Sequence, residues 1–273
     1  MQAANRLQNA LRKGGATFGG WQMLPGTNIS RAIARTGFDW ICVDTEHGNI
    51  SDDNMHECVA AIAACGVSPI VRVAANEAWM VKRALDAGAH GIVVPLLKTA
   101  EDARQIVSAA KFPPQGTRGF GSPFSMEKFH TAEKGGLRQS EYYQQANDGL
   151  VTVIQIETKE ALKNVDEIAL VPGVDVLLIG PFDLGNNIGY PIIDSMHEEL
   201  KKAINRIHES AKKAGKRTGI YCTSGEQARD YAERGFHMIS VVTDAAALPQ
   251  ACDAALKAAQ GAQNLNKRNM SYS

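Results

Sequence analysis

Eight short apolar runs recur along the chain, and between them apolar residues fall at helical spacing. The runs are residues 16–23, 40–45, 69–73, 91–97, 151–157, 174–180, 217–222 and 238–242. Most are near-continuously apolar and β-branched, as strands covered on both faces are, rather than alternating polar and apolar. Helical patterns separate them, among them 52–64, 78–87, 100–110, 159–170, 196–214 and 224–234. A strand–helix unit repeated eight times predicts an α/β fold, the closed parallel (β/α)8 or TIM barrel. Glycines such as Gly66, Gly88 and Gly235 fall at helix-to-strand joints, where a left-handed residue ends a helix. An open doubly wound sheet would leave two edges exposed, and no Gly-x-Gly-x-x-Gly follows the first run.

Length decides whether one barrel accounts for the chain. A prior of ~150 residues per domain allows 273 residues two domains, but α/β barrels often reach ~250 as one. A single domain over 1–273 is expected, with a long excursion at about 112–149, rich in Gly, Pro, Ser and aromatics, and a polar tail from about 260. Lys and Arg number 29, as do Asp and Glu, and zero net charge argues against a nucleic-acid partner. No segment reaches the ~18 uninterrupted apolar residues of a membrane span, and the first residues lack a signal-like apolar stretch. A soluble, cytoplasmic chain without a membrane partner is expected. Its five cysteines are scattered without a C-x-x-C pair, which predicts reduced thiols.

Catalytic groups of such barrels stand at the C-terminal ends of strands. The second run ends Asp44-Thr45-Glu46-His47, the third Arg72-Val73, the fifth Gln155-Ile156-Glu157 and the sixth Gly180-Pro181-Phe182-Asp183. Glu157 and Asp183 end consecutive strands ~4.8 Å apart, within reach of one hard cation at ~2.1 Å. Two carboxylates without thiolates or clustered imidazoles favour Mg2+ or Mn2+ over zinc. Helix capping explains the same two acids, and spacing alone leaves both readings open. Asp44 and His47 are candidates for an orienting pair that moves a proton. Against it stands the plainer arrangement, Asp44 and Glu46 bonded to loop amides with His47 half exposed. Arg72 inside an apolar run calls for an anion, such as a substrate or enolate oxygen. Residues 180–184 read as a tight turn whose amides can hold a carboxylate, and Trp21 reads as core or pocket wall.

Taken in order, GFDWICVDTEHG, VRVAANE, RALDAGAHGIVVPLLKTAEDAR, FPPQGTRGFG, VIQIETKEAL and VDVLLIGPFDLGNNIGYP resemble the HpcH/HpaI aldolase family, the class II pyruvate aldolases, over about residues 19–243. The resemblance implies a divalent cation, Mg2+, Mn2+ or Co2+, bound through Glu157 and Asp183, with Gln155 behind them. It implies that Arg72 stabilises an enolate oxygen and that His47 with Asp44 moves protons at the aldol hydroxyl. Gly121, Ser122 and the amides of Phe182 and Asp183 would hold the pyruvyl moiety. Family members commonly form homohexamers in which a neighbouring subunit's acid completes the site, and Asp86 occupies the matching position.

The implied reaction is reversible cleavage of a 4-hydroxy-2-oxo acid to pyruvate and an aldehyde. A Lewis acid and a guanidinium stabilise the enolate so formed without a Schiff-base lysine, and no lysine ends the sixth run. Segment 124–149 and the bulky Phe182 depart from the bacterial pattern and leave the aldehyde open. GSPFS followed by a tyrosine pair resembles macrophomate synthase, an oxaloacetate-decarboxylating relative, so oxaloacetate decarboxylation at the same site is the alternative. A non-catalytic metabolite-binding barrel is a third reading, whose signature would be a missing ligand or arginine.

Overall fold

The eight runs become eight parallel strands that pair in sequence order, and the last returns to the first. The computed structural model describes residues 1, 4–129 and 137–261. Its strands are β1 (Thr17–Gln22), β2 (Trp40–Asp44), β3 (Ser68–Arg72), β4 (Gly91–Val94), β5 (Val151–Ile156), β6 (Val176–Ile179), β7 (Arg217–Ile220) and β8 (Met238–Thr243). The β1–β8 pairing closes the barrel, so none of these eight strands is left with an open edge. Every residue of β2, β3 and β5 is buried, which is why those runs do not alternate.

The helices are α1 (Arg6–Lys13), α2 (Thr27–Ala34), α3 (Asp52–Ala64), α4 (Ala78–Asp86), α5 (Ala100–Ala110), α6 (Gln139–Gly149), α7 (Lys159–Lys163), α8 (Val165–Ala169), α9 (Pro181–Asn187), α10 (Glu198–Lys213), α11 (Gly225–Glu233) and α12 (Asp244–Gln260). Gly66, Gly88 and Gly235 take φ of 73°, 95° and 89°, as the joints between helix and strand require. The helix expected over 159–170 is divided at Asn164, whose side chain leaves the helix to donate to the Lys98 carbonyl at 2.8 Å.

Two apolar cores result. One lies between sheet and helices and includes Ile41, Val71, Ile92 and Ile154. The other fills the barrel with Trp21, Trp40, Ile70, Val153, Val176 and Leu178. Room for Trp40 exists because β1 carries Gly19, where a Cβ would stand 2.2 Å from the indole. Helix α1, absent from the expected pattern, closes the N-terminal end of the barrel. Its Leu7 and Leu11 join the inner core, and the preceding Asn5 side chain donates to the carbonyls of His90 and Gly149, each at 2.9 Å.

The excursion 112–149 is packed rather than a bare loop. It holds a short 3-10 turn, Ser125–Lys128, and α6, and Phe112, Phe129 and Tyr142 within it are buried. Phe129 stacks on His90 at 4.3 Å, just before β4, which fixes this part near the N-terminal end of the strands. Residues 130–136 of the excursion, and most of the polar tail, lie outside the described residues. Among the described residues no helix is long and apolar enough to cross a membrane, and all five cysteines are free thiols.

Candidate active site

The β2–β3 register sets Asp44 opposite Arg72 at the C-terminal mouth of the barrel. Arg72 meets Asp44 through two hydrogen bonds, Nε to Oδ1 at 2.9 Å and Nη2 to Oδ2 at 2.5 Å. Trp21 Nε1 donates to Asp44 Oδ2 at 3.0 Å, and the amides of Glu46 and His47 donate to Oδ1. Burial pushes the Asp44 carboxyl up, but the bonds from Arg72, Trp21 and the His47 amide outweigh it and hold it below the usual range. Arg72 Nη1 also stands 3.0 Å from Glu46 Oε2, close but not aligned as a hydrogen bond, and the guanidinium lies 5.1 Å from the Trp21 ring.

These contacts correct two expectations. The anion demanded by Arg72 is supplied inside the chain by Asp44 and Glu46, so burying the guanidinium does not of itself require a substrate. Asp44 does not orient the His47 ring, because its oxygens are taken by Arg72, Trp21 and two loop amides. The His47 side chain instead points outward, 58% exposed, with Nε2 3.9 Å from Glu46 Oε1. Glu46 is thus the acid beside both Arg72 and His47, a place that the sequence reading did not give it. Its signal was the charge count, since a buried arginine beside D-T-E-H has two acids within reach.

Glu157 follows β5 and is 2% exposed. Its Oε1 accepts from the Leu96 amide at 2.8 Å, and its Oε2 accepts from Gln155 Nε2. Leu96 turns its amide inward by adopting a left-handed conformation, φ 59°. Burial is the main cause that pushes the Glu157 carboxyl up to about 6; the nearby charges of Asp183 and Glu46 add to it, and the two hydrogen bonds oppose it. Asp183 lies exposed in the first turn of α9. Capping accounts for neither acid: the Thr158 side chain caps α7, and Gly180 occupies the N-cap of α9 without a side-chain bond. The tight turn read at 180–184 is the start of that helix.

Gly180 allows the close approach. A Cβ there would stand 2.6 Å from Glu157 Oε2 and 2.9 Å from Gln155 Nε2. Above it opens a cavity of about 180 Å3, whose lining includes Trp21, His47, Arg72, Gln155, Phe182, Asp183 and Tyr221. That is space for roughly six waters at ~30 Å3 each, the scale of a small oxo acid. Glu157 lies beneath this lining. Tyr221, beyond the end of β7, packs edge-on against Trp21 at 5.3 Å and Phe182 at 6.3 Å. Nothing in the sequence singles it out, because the run 217–222 ends Gly-Ile-Tyr-Cys, without a charged residue to point to chemistry at that strand end.

Asp86 and Ser122 lie elsewhere. Asp86 ends α4, accepts from Arg118 Nη2 at 2.9 Å, and its carbonyl accepts from Ser122 Oγ at 2.7 Å. Both line a second cavity, with His56, Phe120 and Phe124, that shares no residue with the first. Within one chain they do not meet Arg72 or Glu157.

Among the described residues no group of three or more His, Cys, Asp or Glu is arranged to hold a metal. The oxygen donors on offer are the carboxylate of Glu157 against Gly180, that of Asp183 on the cavity lining, whose charge Glu157 feels, and Gln155 Oε1, a buried oxygen without a hydrogen-bond partner among the described residues. This all-oxygen set suits a hard divalent cation that keeps water on its remaining positions.

The sequence model of HpcH/HpaI aldolase/citrate lyase matches residues 21–251. The chain is 38% identical over 253 residues to 2-dehydro-3,6-dideoxy-6-sulfogluconate aldolase of Pseudomonas putida, covering 93% of this chain and 96% of the relative. It is 36% identical to a hydroxypyruvate/pyruvate aldolase of Rhizorhabdus wittichii, over 90% and 95% of the two chains. Among solved structures, an HpcH/HpaI aldolase/citrate lyase family protein from Burkholderia cenocepacia J2315 superposes with a TM-score of 0.84 at 33% identity, covering 94% of this chain and 100% of that one. Macrophomate synthase superposes with a TM-score of 0.83 at 25% identity, over 95% and 89%.

Proposed function

The chain belongs to the HpcH/HpaI aldolase/citrate lyase family, and on that premise we propose that it is a divalent-cation-dependent aldolase that reversibly cleaves a 4-hydroxy-2-oxo acid to pyruvate and an aldehyde. Carbon–carbon lyase chemistry is common to its aldolase relatives. The observation that carries the specific reading is the packing of Glu157 and Gln155 against Gly180, under a cavity that Gln155, Asp183 and Arg72 line together.

Glu157 and Asp183 would hold the cation, Mg2+, Mn2+ or Co2+, with Gln155 beside them. When bound, it supplies Lewis acidity toward the oxygens of the 2-oxo acid. Arg72, fixed by Asp44 and Glu46, presents a preorganised positive charge where the enolate develops negative charge. His47, at the cavity wall with Glu46 nearby, would take and return the proton of the aldol hydroxyl. The amides of Phe182 and Asp183 are the donors offered to the substrate carboxylate, while Trp21, Tyr221 and the Phe182 ring bound the space for the aldehyde.

A homo-oligomer is part of this proposal, hexameric on the family likeness, because Asp86 and Ser122 reach a site only from another copy. Its support is apolar surface that one chain leaves wet. No residue of α12 is buried, and Trp79, Phe120 and Phe124 are 61%, 47% and 51% exposed. The test is pyruvate release from a panel of 4-hydroxy-2-oxo acids before and after chelation. Loss on chelation and return with Mg2+, Mn2+ or Co2+ supports the proposal, whereas full activity without metal overturns it.

A second reading, oxaloacetate decarboxylation, is favoured by the exposure of His47. Loss of carbon dioxide forms the same enolate without a hydroxyl proton to move, so it needs Arg72 and the cation but not the imidazole. His47→Ala separates the two, since it should abolish retro-aldol cleavage and spare decarboxylation.

A further inference from the structure

The opposite end of the barrel carries a separate polar cavity of about 540 Å3. The ends of α1, α5 and α6 and the residues leading into β6 and β7 frame it. Four cationic side chains, Arg12, Lys111, Lys216 and Arg217, face two acids, Asp148 and Asp175. Among the described residues none of the four cations forms an ion pair. Each donates to backbone carbonyls instead: Arg12 to Asp148 at 2.7 Å, Lys111 to Asn147, Lys216 to Val171 and Val174, and Arg217 to Leu11 at 2.7 Å. Asp175 accepts from the Thr152 amide at 2.8 Å.

Cations near helix C-termini satisfy exposed carbonyls and oppose the helix dipole, and that role accounts for one or two N–H groups of each side chain. It leaves most of the arginine donors unused. Nor does it explain Lys111, which is 5% exposed and has no carboxylate within ion-pair distance among the described residues. A buried ammonium without a carboxylate in direct contact is costly, and burial accordingly pulls its pKa down, against the weaker opposing pull of the more distant Asp175 and Asp148.

We propose that this cavity binds a small phosphate dianion, inorganic phosphate or a phosphate monoester, between Lys111, Lys216, Arg217 and Arg12. Four cations against two acids leave the excess positive charge that a dianion neutralises. Guanidinium forks pair with carboxylate and phosphate alike, but four cationic groups around one space offer more donors than the two oxygens of a carboxylate can take, and the three free oxygens and double charge of a phosphate use more of them. The volume leaves room for a small organic group on the ester. Because Arg12 belongs to α1 and Arg217 to β7, the bound anion ties the helix that closes the barrel to the strands beneath it.

Isothermal titration of the chelator-treated full-length chain tests this, using inorganic phosphate, glycerol 3-phosphate and succinate at constant ionic strength. Chelation keeps phosphate from being captured by a cation at the other end of the barrel. Binding of phosphate or the ester with a dissociation constant on the order of 1 mM or tighter is expected, with thermal stabilisation that matched chloride does not give. Lys111→Gln and Arg12→Gln should each weaken it about tenfold or more, or roughly 1.4 kcal/mol. Arg12 is exposed, so its variant keeps the fold even if the Lys111 variant does not. Tighter binding of the ester identifies a monoester ligand and the reverse identifies free phosphate. No binding, tighter binding of succinate, or unchanged phosphate affinity in Arg12→Gln overturns the proposal.

Discussion

Asp44 and Arg72 face each other across the β2–β3 ladder and are joined by two hydrogen bonds, at 2.9 and 2.5 Å, within the closed barrel. The pair is self-contained, yet Arg72 lines the cavity, so one contact serves both fold and chemistry. Asp44→Asn would leave the guanidinium with Glu46 as its remaining acid. Removing one partner of a buried pair costs about 3–5 kcal/mol. Urea unfolding should show a loss of that order at pH 7, and a loss under 1 kcal/mol would mean that Glu46 alone suffices. Because the folded pKa of Asp44 is lowered, the stability it contributes is present above its unfolded value and fades as pH falls through the folded one.

Glu157 titrates in the opposite sense. Its folded pKa of about 6 exceeds the ordinary 4.5, so the folded state holds the proton more tightly than the unfolded chain does. In chelator, its relative stabilisation should be complete below about 4.5 and lost as pH rises through about 6, a change of about 2 kcal/mol. Unfolding free energies from urea titrations of wild type and Glu157→Gln across this window should diverge by that amount. Parallel curves would show that Glu157 is not the titrating group.

Gly180→Ala is the sharpest steric test of the site. The added methyl would stand 2.6 Å from Glu157 Oε2, so the carboxylate has to move. Circular dichroism should be unchanged, while a displacement of this size lowers pyruvate release by about 100-fold and weakens cation affinity. A variant with wild-type activity would show that the Glu157 position is not needed.

The barrel was legible because its strands announce themselves: a run buried on both faces, such as that of β2, has no alternation to confuse it with a half-wet strand. Glu157, Asp183, Arg72 and His47 were legible as strand-end residues for the same reason. What sequence could not supply was contact. D-T-E-H contains two acids, and only the turn geometry gives Asp44 to Arg72 and leaves Glu46 beside His47. Helix α1 escaped because the two leucines that plug the barrel, Leu7 and Leu11, lie in an otherwise polar stretch. Asp86 and Ser122 looked like site residues by likeness, but a single chain keeps them in another cavity.

Leu96 gives a test of how the site is held. Its φ of 59° aims the amide at Glu157 Oε1, and a left-handed residue with a side chain carries a penalty of about 1–2 kcal/mol. The side chain is 54% exposed, so its removal forfeits little burial. Leu96→Gly relieves that penalty but frees the unfolded chain, which offsets about 0.4–1 kcal/mol. Leu96→Val keeps the penalty and adds a branched Cβ, which tolerates positive φ worst. Urea unfolding should therefore rank glycine at or above wild type, with valine below both by about 1 kcal/mol. Activity should persist in the glycine variant, because the amide that holds Glu157 remains. If valine proved as stable as glycine, the left-handed turn at Leu96 would not be what aims that amide.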